Sequence, residues 1–115
     1  MKYLFILNDA GYGSERSYNG IRLAINLAKR DSAEIRIFLL GDAVSCALDN
    51  QQTPDGYYNL GRMLRAASRK GEIACCGTCM DARGISDEML ISPARRSTLD
   101  ELTDWTEWAG KVLVF

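Results

Sequence analysis

The chemistry open to this sequence is concentrated in Cys76-Gly77-Thr78-Cys79, with Arg83 just beyond. The chain has no His, so Ser-His-Asp triads, Cys-His pairs and imidazole-ligated metals are all excluded. Cysteine, carboxylate, Arg, Lys, Tyr and backbone dipoles remain. A thiol at a strand end can feel both a helix N-terminus and a guanidinium, and both favour the thiolate, the nucleophilic form. Cys76, Cys79 and Arg83 are therefore the candidate catalytic residues. Cys75 and Cys76 are neighbours on a strand, so their side chains point to opposite faces. Cys76, nearer the turn, is the one expected to be free, while Cys75 and Cys46 are expected to pack. Cys-x-x-Cys is also half of many zinc sites. Four ligands are needed, however, and only Cys46 and the oppositely directed Cys75 remain, so no metal is expected.

A second polar stretch follows the first apolar run. Gly11-Tyr12-Gly13 invites a dinucleotide reading, but Arg16 stands where the third glycine belongs and no acidic residue closes the second strand, so no nucleotide or other cofactor is expected. Asp9, Tyr12, Ser14 and Glu15 are instead expected to line the thiol site as polar groups. Asp42 is read as a helix cap. Arg62, Arg65 and Arg69 are read as a solvated helix face.

Positioning these residues requires alternating strands and helices. Tyr3 to Leu7 reads as a buried strand. From Ser17, apolar Ile21, Ala24, Ile25 and Ala28 recur at helical spacing, and Lys29-Arg30 complement the dipole at the end. Ile35 to Leu40 is a second strand, followed by a short helix capped by Asp42. Asn50 to Gly56 is a loop. Leu60, Met63, Leu64 and Ala67 mark a helix stopped by Gly71, and Glu72 to Cys76 a third strand. Gly77 to Gly84 reads as a flexible loop, and Met89-Leu90-Ile91 as a weak fourth strand. Thr98 with Glu101 forms a capping box for a helix turning Leu99, Leu102, Trp105 and Ala109 inward, and Val112 to Phe115 is the last strand. This pattern predicts an α/β fold: a single three-layer α/β/α domain spanning residues 1–115, with a mainly parallel sheet of four or five strands.

With 14 Lys+Arg against 15 Asp+Glu, the chain lacks the charge to grip a phosphate backbone, so no nucleic-acid partner is expected. Its longest apolar runs fall far short of the ~20 residues of a membrane span. No secretory signal is evident in the first residues, and a cytoplasmic location is expected. Trp105 and Trp108, three apart, together with Tyr57-Tyr58, offer more aromatic surface than one small core covers, which predicts a homo-oligomer.

Several blocks taken together resemble the YchN-like branch of the DsrE/DsrF family: Tyr12-Gly13-Ser14-Glu15, Asn19 with Ile21-Arg22-Leu23-Ala24, Phe38 to Val44, Cys76-Gly77-Thr78-Cys79 with Arg83-Gly84-Ile85, and the Lys111 to Phe115 ending. The Cys-x-x-Cys-x-x-x-Arg-Gly-Ile stretch is the most specific of them. The resemblance implies an α/β/α fold, oligomers that are commonly hexamers, and a sulfur-trafficking role with sulfur donor and acceptor proteins. In that role a cysteine matching Cys76 carries sulfane sulfur as a persulfide, making the chain a sulfur carrier or sulfurtransferase. Two other readings stand beside it: a dithiol/disulfide redox protein using Cys76 and Cys79, and a non-catalytic oligomeric binding module.

Overall fold

A computed structural model describes residues 1–115. Strands β1 (Lys2–Leu7), β2 (Glu34–Leu39), β3 (Gly71–Cys76), β4 (Arg95–Ser97) and β5 (Lys111–Val114) form one sheet in the order β4-β3-β2-β1-β5, every pair parallel. Helices α1 (Arg16–Leu27) and α2 (Leu60–Ala67) cover one face. Helix α4 (Leu99–Trp108) covers the other, and α3 (Gly77–Ala82) follows β3 directly. The expected α/β class and mainly parallel sheet of four or five strands are what form, with five strands, all parallel.

Period-two alternation divides the side chains between two cores. Phe5, Leu7, Ile35, Ile37, Leu39, Ile73 and Cys75 pack under Ile21 and Ala24 of α1 and Leu60, Leu64 and Ala67 of α2. On the opposite face Leu4, Phe38 and Ala74 pack under Leu102 and Trp105 of α4. The Trp105 ring meets Phe38 edge-on at 5.9 Å. Arg36 and Arg95 lie over that indole, so Trp105 is a buried packing residue and not part of an exposed aromatic surface.

Several expectations are corrected. Met89-Leu90-Ile91 forms no sheet strand: Asp87–Met89 is a 3-10 turn, and Leu90 makes a single antiparallel bridge to Leu48. The fourth strand is Arg95–Ser97, which has no apolar signature because it is a short edge strand tied down by ions. Arg95 pairs with Glu72 of β3 and Glu101 of α4. Gly71 opens β3 instead of stopping α2, which passes into a 3-10 turn at Ser68–Lys70. Thr98 does accept from the Glu101 N–H, but the Glu101 carboxylate turns to Arg95 and Ser97, completing only half of a capping box. Leu99 is 71% exposed, one turn too early on α4 to reach the sheet.

Candidate functional site

β3 delivers two adjacent thiols to opposite faces. Cys75 is fully buried beneath α1 and α2, whereas Cys76 is half-buried at the strand end. The chain passes from Cys76 straight into α3, so Cys79 sits on a helical turn and not in a flexible loop. Arg96 of β4 fixes that turn. Its Nη1 donates to the Gly77 carbonyl and to Asp81 Oδ1, both at 3.0 Å, and its Nε to Asp87 Oδ1 at 2.6 Å. A Cβ at position 77 would lie 3.1 Å from the Arg96 side chain and from the Ser97 carbonyl, so any larger residue there would push β4 and Arg96 back by a few tenths of an ångström.

The Cys76 Sγ lies 3.3 Å from the Thr78 hydroxyl. Burial alone would raise its pKa, but hydrogen bonds from the Cys79 thiol, the Thr78 hydroxyl and the backbone N–H groups of Cys79 and Thr78 together outweigh burial and leave Cys76 below the ordinary thiol value. Cys79 moves the other way, raised by burial and by serving as donor to Cys76. Its sulfur accepts the Gly41 N–H at 3.2 Å. That amide is aimed by the turn closing β2, where Gly41 takes a left-handed φ of +53°. Cys75 is pushed up to about 12 and Cys46 to about 11, both chiefly by burial. Of four thiols, only Cys76 is biased towards the thiolate.

Arg83 belongs to the site in a different role from the one expected. Its Nη1 donates to the Cys79 carbonyl at 3.0 Å, while Nε and Nη2 both reach Asp42 Oδ1 at 2.9 and 2.7 Å. The guanidinium is thus counterbalanced by a carboxylate, and its charge lowers Cys79, not Cys76. Asp42 is not a helix cap, because the 3-10 segment Gly41–Ala47 has Leu40 at its cap position. It is the site residue that sequence reasoning missed. The available signal was an acid and a base placed just past the ends of adjacent parallel strands.

Asp9, Tyr12, Ser14 and Glu15 make no hydrogen bond to Cys76 or Cys79, and the Asp9 carbonyl accepts instead from the buried Cys46 thiol at 3.6 Å. Asp9 accepts from Ser14 Oγ at 2.6 Å and pairs with Arg16 at 3.4 Å. Tyr12, Ser14 and Glu15 line a separate pocket with Tyr18, Tyr57 and Tyr58.

The family model for the DsrE/DsrF-like family matches residues 1–115. "Protein YchN" of Escherichia coli is 41% identical over 116 residues, covering 99% of this chain and 98% of that protein. "Uncharacterized protein MJ0989" of Methanocaldococcus jannaschii is 34% identical over the full length of both. The crystal structure of YchN from E. coli superimposes with a TM-score of 0.92 at 40% identity, covering 100% of this chain and 99% of that one.

Proposed function

The chain belongs to the DsrE/DsrF-like family, and on that premise we propose that it is a sulfur carrier in which Cys76 holds sulfane sulfur as a persulfide. The observation that carries this reading is the unequal bias of the four thiols: Cys76 and Cys79 are both half-exposed at the strand end, and of the two only Cys76 is lowered. Its thiolate attacks the outer sulfur of a donor persulfide, a new S–S bond forms, and the donor leaves as its own thiolate. The sulfane sulfur then sits at the rim of the sheet, open to the thiolate of an acceptor protein.

Cys79 gives the site a second exit. Deprotonated, it attacks the Cys76 Sγ; the Cys76–Cys79 disulfide forms, and the sulfane sulfur leaves as hydrosulfide, taking the electron pair of the broken S–S bond. Restoring the dithiol then requires an external reducing dithiol. The raised Cys79 pKa keeps this exit slow at neutral pH, which favours holding the cargo. The dithiol redox reading rests on the Cys-x-x-Cys spacing across the turn from β3 into α3 and needs no sulfur donor.

Intact mass after exposure to thiosulfate or a desulfurase-generated persulfide separates these readings. The wild type should gain one sulfur atom and Cys76→Ser none, because a serine hydroxyl without an adjacent base is a poor nucleophile. Cys79→Ser should load and keep its sulfur longer. Normal loading of Cys76→Ser would refute the assignment, and loss of two hydrogens without gain of sulfur would favour the redox protein.

A further inference from the structure

The Tyr12 pocket plays no part in the thiol chemistry, and while its Tyr18 and Tyr58 lean on the core, Tyr12 and Tyr57 do not. It is a groove of about 410 Å³ that opens widely to solvent. Four tyrosine rings build it. Tyr58 is the hub, with ring centroids 4.3 Å from Tyr18, 4.6 Å from Tyr57 and 5.3 Å from Tyr12. The cluster is held deliberately: Tyr12 has φ +71°, a left-handed backbone that a bulky residue adopts only under constraint. The constraint is its hydroxyl, which accepts the Leu60 N–H at 3.1 Å and donates to Gln51. Even so, Tyr12 and Tyr57 remain 41% and 52% exposed.

Two features give the pocket a sign. Glu15 lines it and enters no ion pair. Its charge is felt inside: the Tyr58 phenol is pushed up to about 12, first by its hydrogen bond with Tyr57 and by burial, with Glu15 adding to the rise. The ring faces form the second feature. Outside the pocket this molecule covers its tryptophan faces with its own cations, Arg36 and Lys2 over Trp108 and Arg36 and Arg95 over Trp105, and within the pocket Arg22 lies over Tyr18. No cation of the chain lies over Tyr12, Tyr57 or Tyr58. The pocket also lies on the loop leaving β1, the strand on either side of which the sheet order runs in opposite directions; ligands of open α/β sheets collect at such a reversal, beyond the carboxyl ends of the strands.

We propose that this pocket binds a small organic cation of the quaternary ammonium class, seated on the free faces of Tyr12 and Tyr57 with Glu15 as its counter-charge. A compact ammonium without N–H donors suits the site, since ring faces and one carboxylate supply charge but few directional acceptors. The site is independent of the sulfur chemistry and stands whether or not Cys76 carries a persulfide.

Choline chloride is the probe, followed through the tyrosine ring resonances by NMR at constant ionic strength. Its uncharged isostere 3,3-dimethyl-1-butanol is the control. Saturable shifts of the Tyr12, Tyr57 and Tyr58 rings are expected with choline, and binding of the isostere should be weaker by about tenfold. Glu15→Gln and Tyr57→Leu should each weaken choline several-fold while the rate of Cys76 alkylation stays unchanged, showing an intact fold. Equal affinity for the isostere overturns the proposal, as does an absence of saturation or indifference to both substitutions. Tyrosine shifts that depend on protein concentration and not on choline would also overturn it, making the patch a contact between copies.

Discussion

At the scale of single residues, the site's asymmetry lies in hydrogen bonding more than in charge. Cys76 is surrounded by donors, and Cys79 is one of them. Limiting iodoacetamide at neutral pH, followed by peptide mapping, should label Cys76 first, Cys79 later, and Cys46 and Cys75 only on unfolding. Raising the pH should bring Cys79 in above the range where Cys76 already reacts. Arg83→Ala should raise Cys79 further and leave the Cys76 profile nearly unchanged, because the guanidinium serves Asp42 and the Cys79 carbonyl. A matching upward shift of Cys76 would return the guanidinium to the role its sequence position suggested. That one of Cys75 and Cys76 is buried and the other free was legible from strand alternation, and nearness to the turn picked out Cys76. Asp42 was not, because its partner lies 41 residues away, and no local rule distinguishes a cap from a cross-strand ion pair.

Among the elements, those with strong apolar periodicity were legible: β1, β2, α1 and α2 form where the pattern puts them. The failures fall where tertiary ties replace local preference. α3 is held by the Arg96 clamp, and β4 exists because Arg95 joins Glu72 and Glu101 around it. The Arg95 hydrogen bond holds the Glu101 carboxyl below its ordinary value, with burial partly opposing. A carboxyl depressed in the folded state stabilises above its unfolded pKa of about 4.3 and loses that contribution as pH falls through the folded value. Glu101→Gln should therefore cost about 1 kcal/mol at neutral pH and little at pH 3, as read by urea midpoints across that range. An equal loss at both pH values would show that the carboxylate's charge is not what anchors β4.

For the whole molecule, the two faces of the sheet are covered unequally. Val112 and Val114 of β5 extend the rows of Leu4 and Ile6, yet the cluster under α4 stops at β1, and the two valines stay 41% and 64% exposed. We propose that this uncovered strip, on the same face as Cys76, is where copies of the chain meet in a homo-oligomer; a monomer at micromolar concentration in sedimentation equilibrium would refute it. The position of β5 has a separate consequence, for the order in which the molecule comes together. β1, β2 and β3 join successive neighbours through single crossovers, residues 8–33 and 40–70, but β5 pairs with β1 across almost the whole sequence, Phe5 opposite Leu113. Closing so long a loop is entropically slow, so the transition state should contain β1 and β2 with β5 still free. Leu113→Ala should then speed unfolding and leave the refolding limb of the chevron almost unmoved, whereas Ile37→Val should slow refolding. Similar effects of both on the refolding limb would mean that the sheet closes in one step.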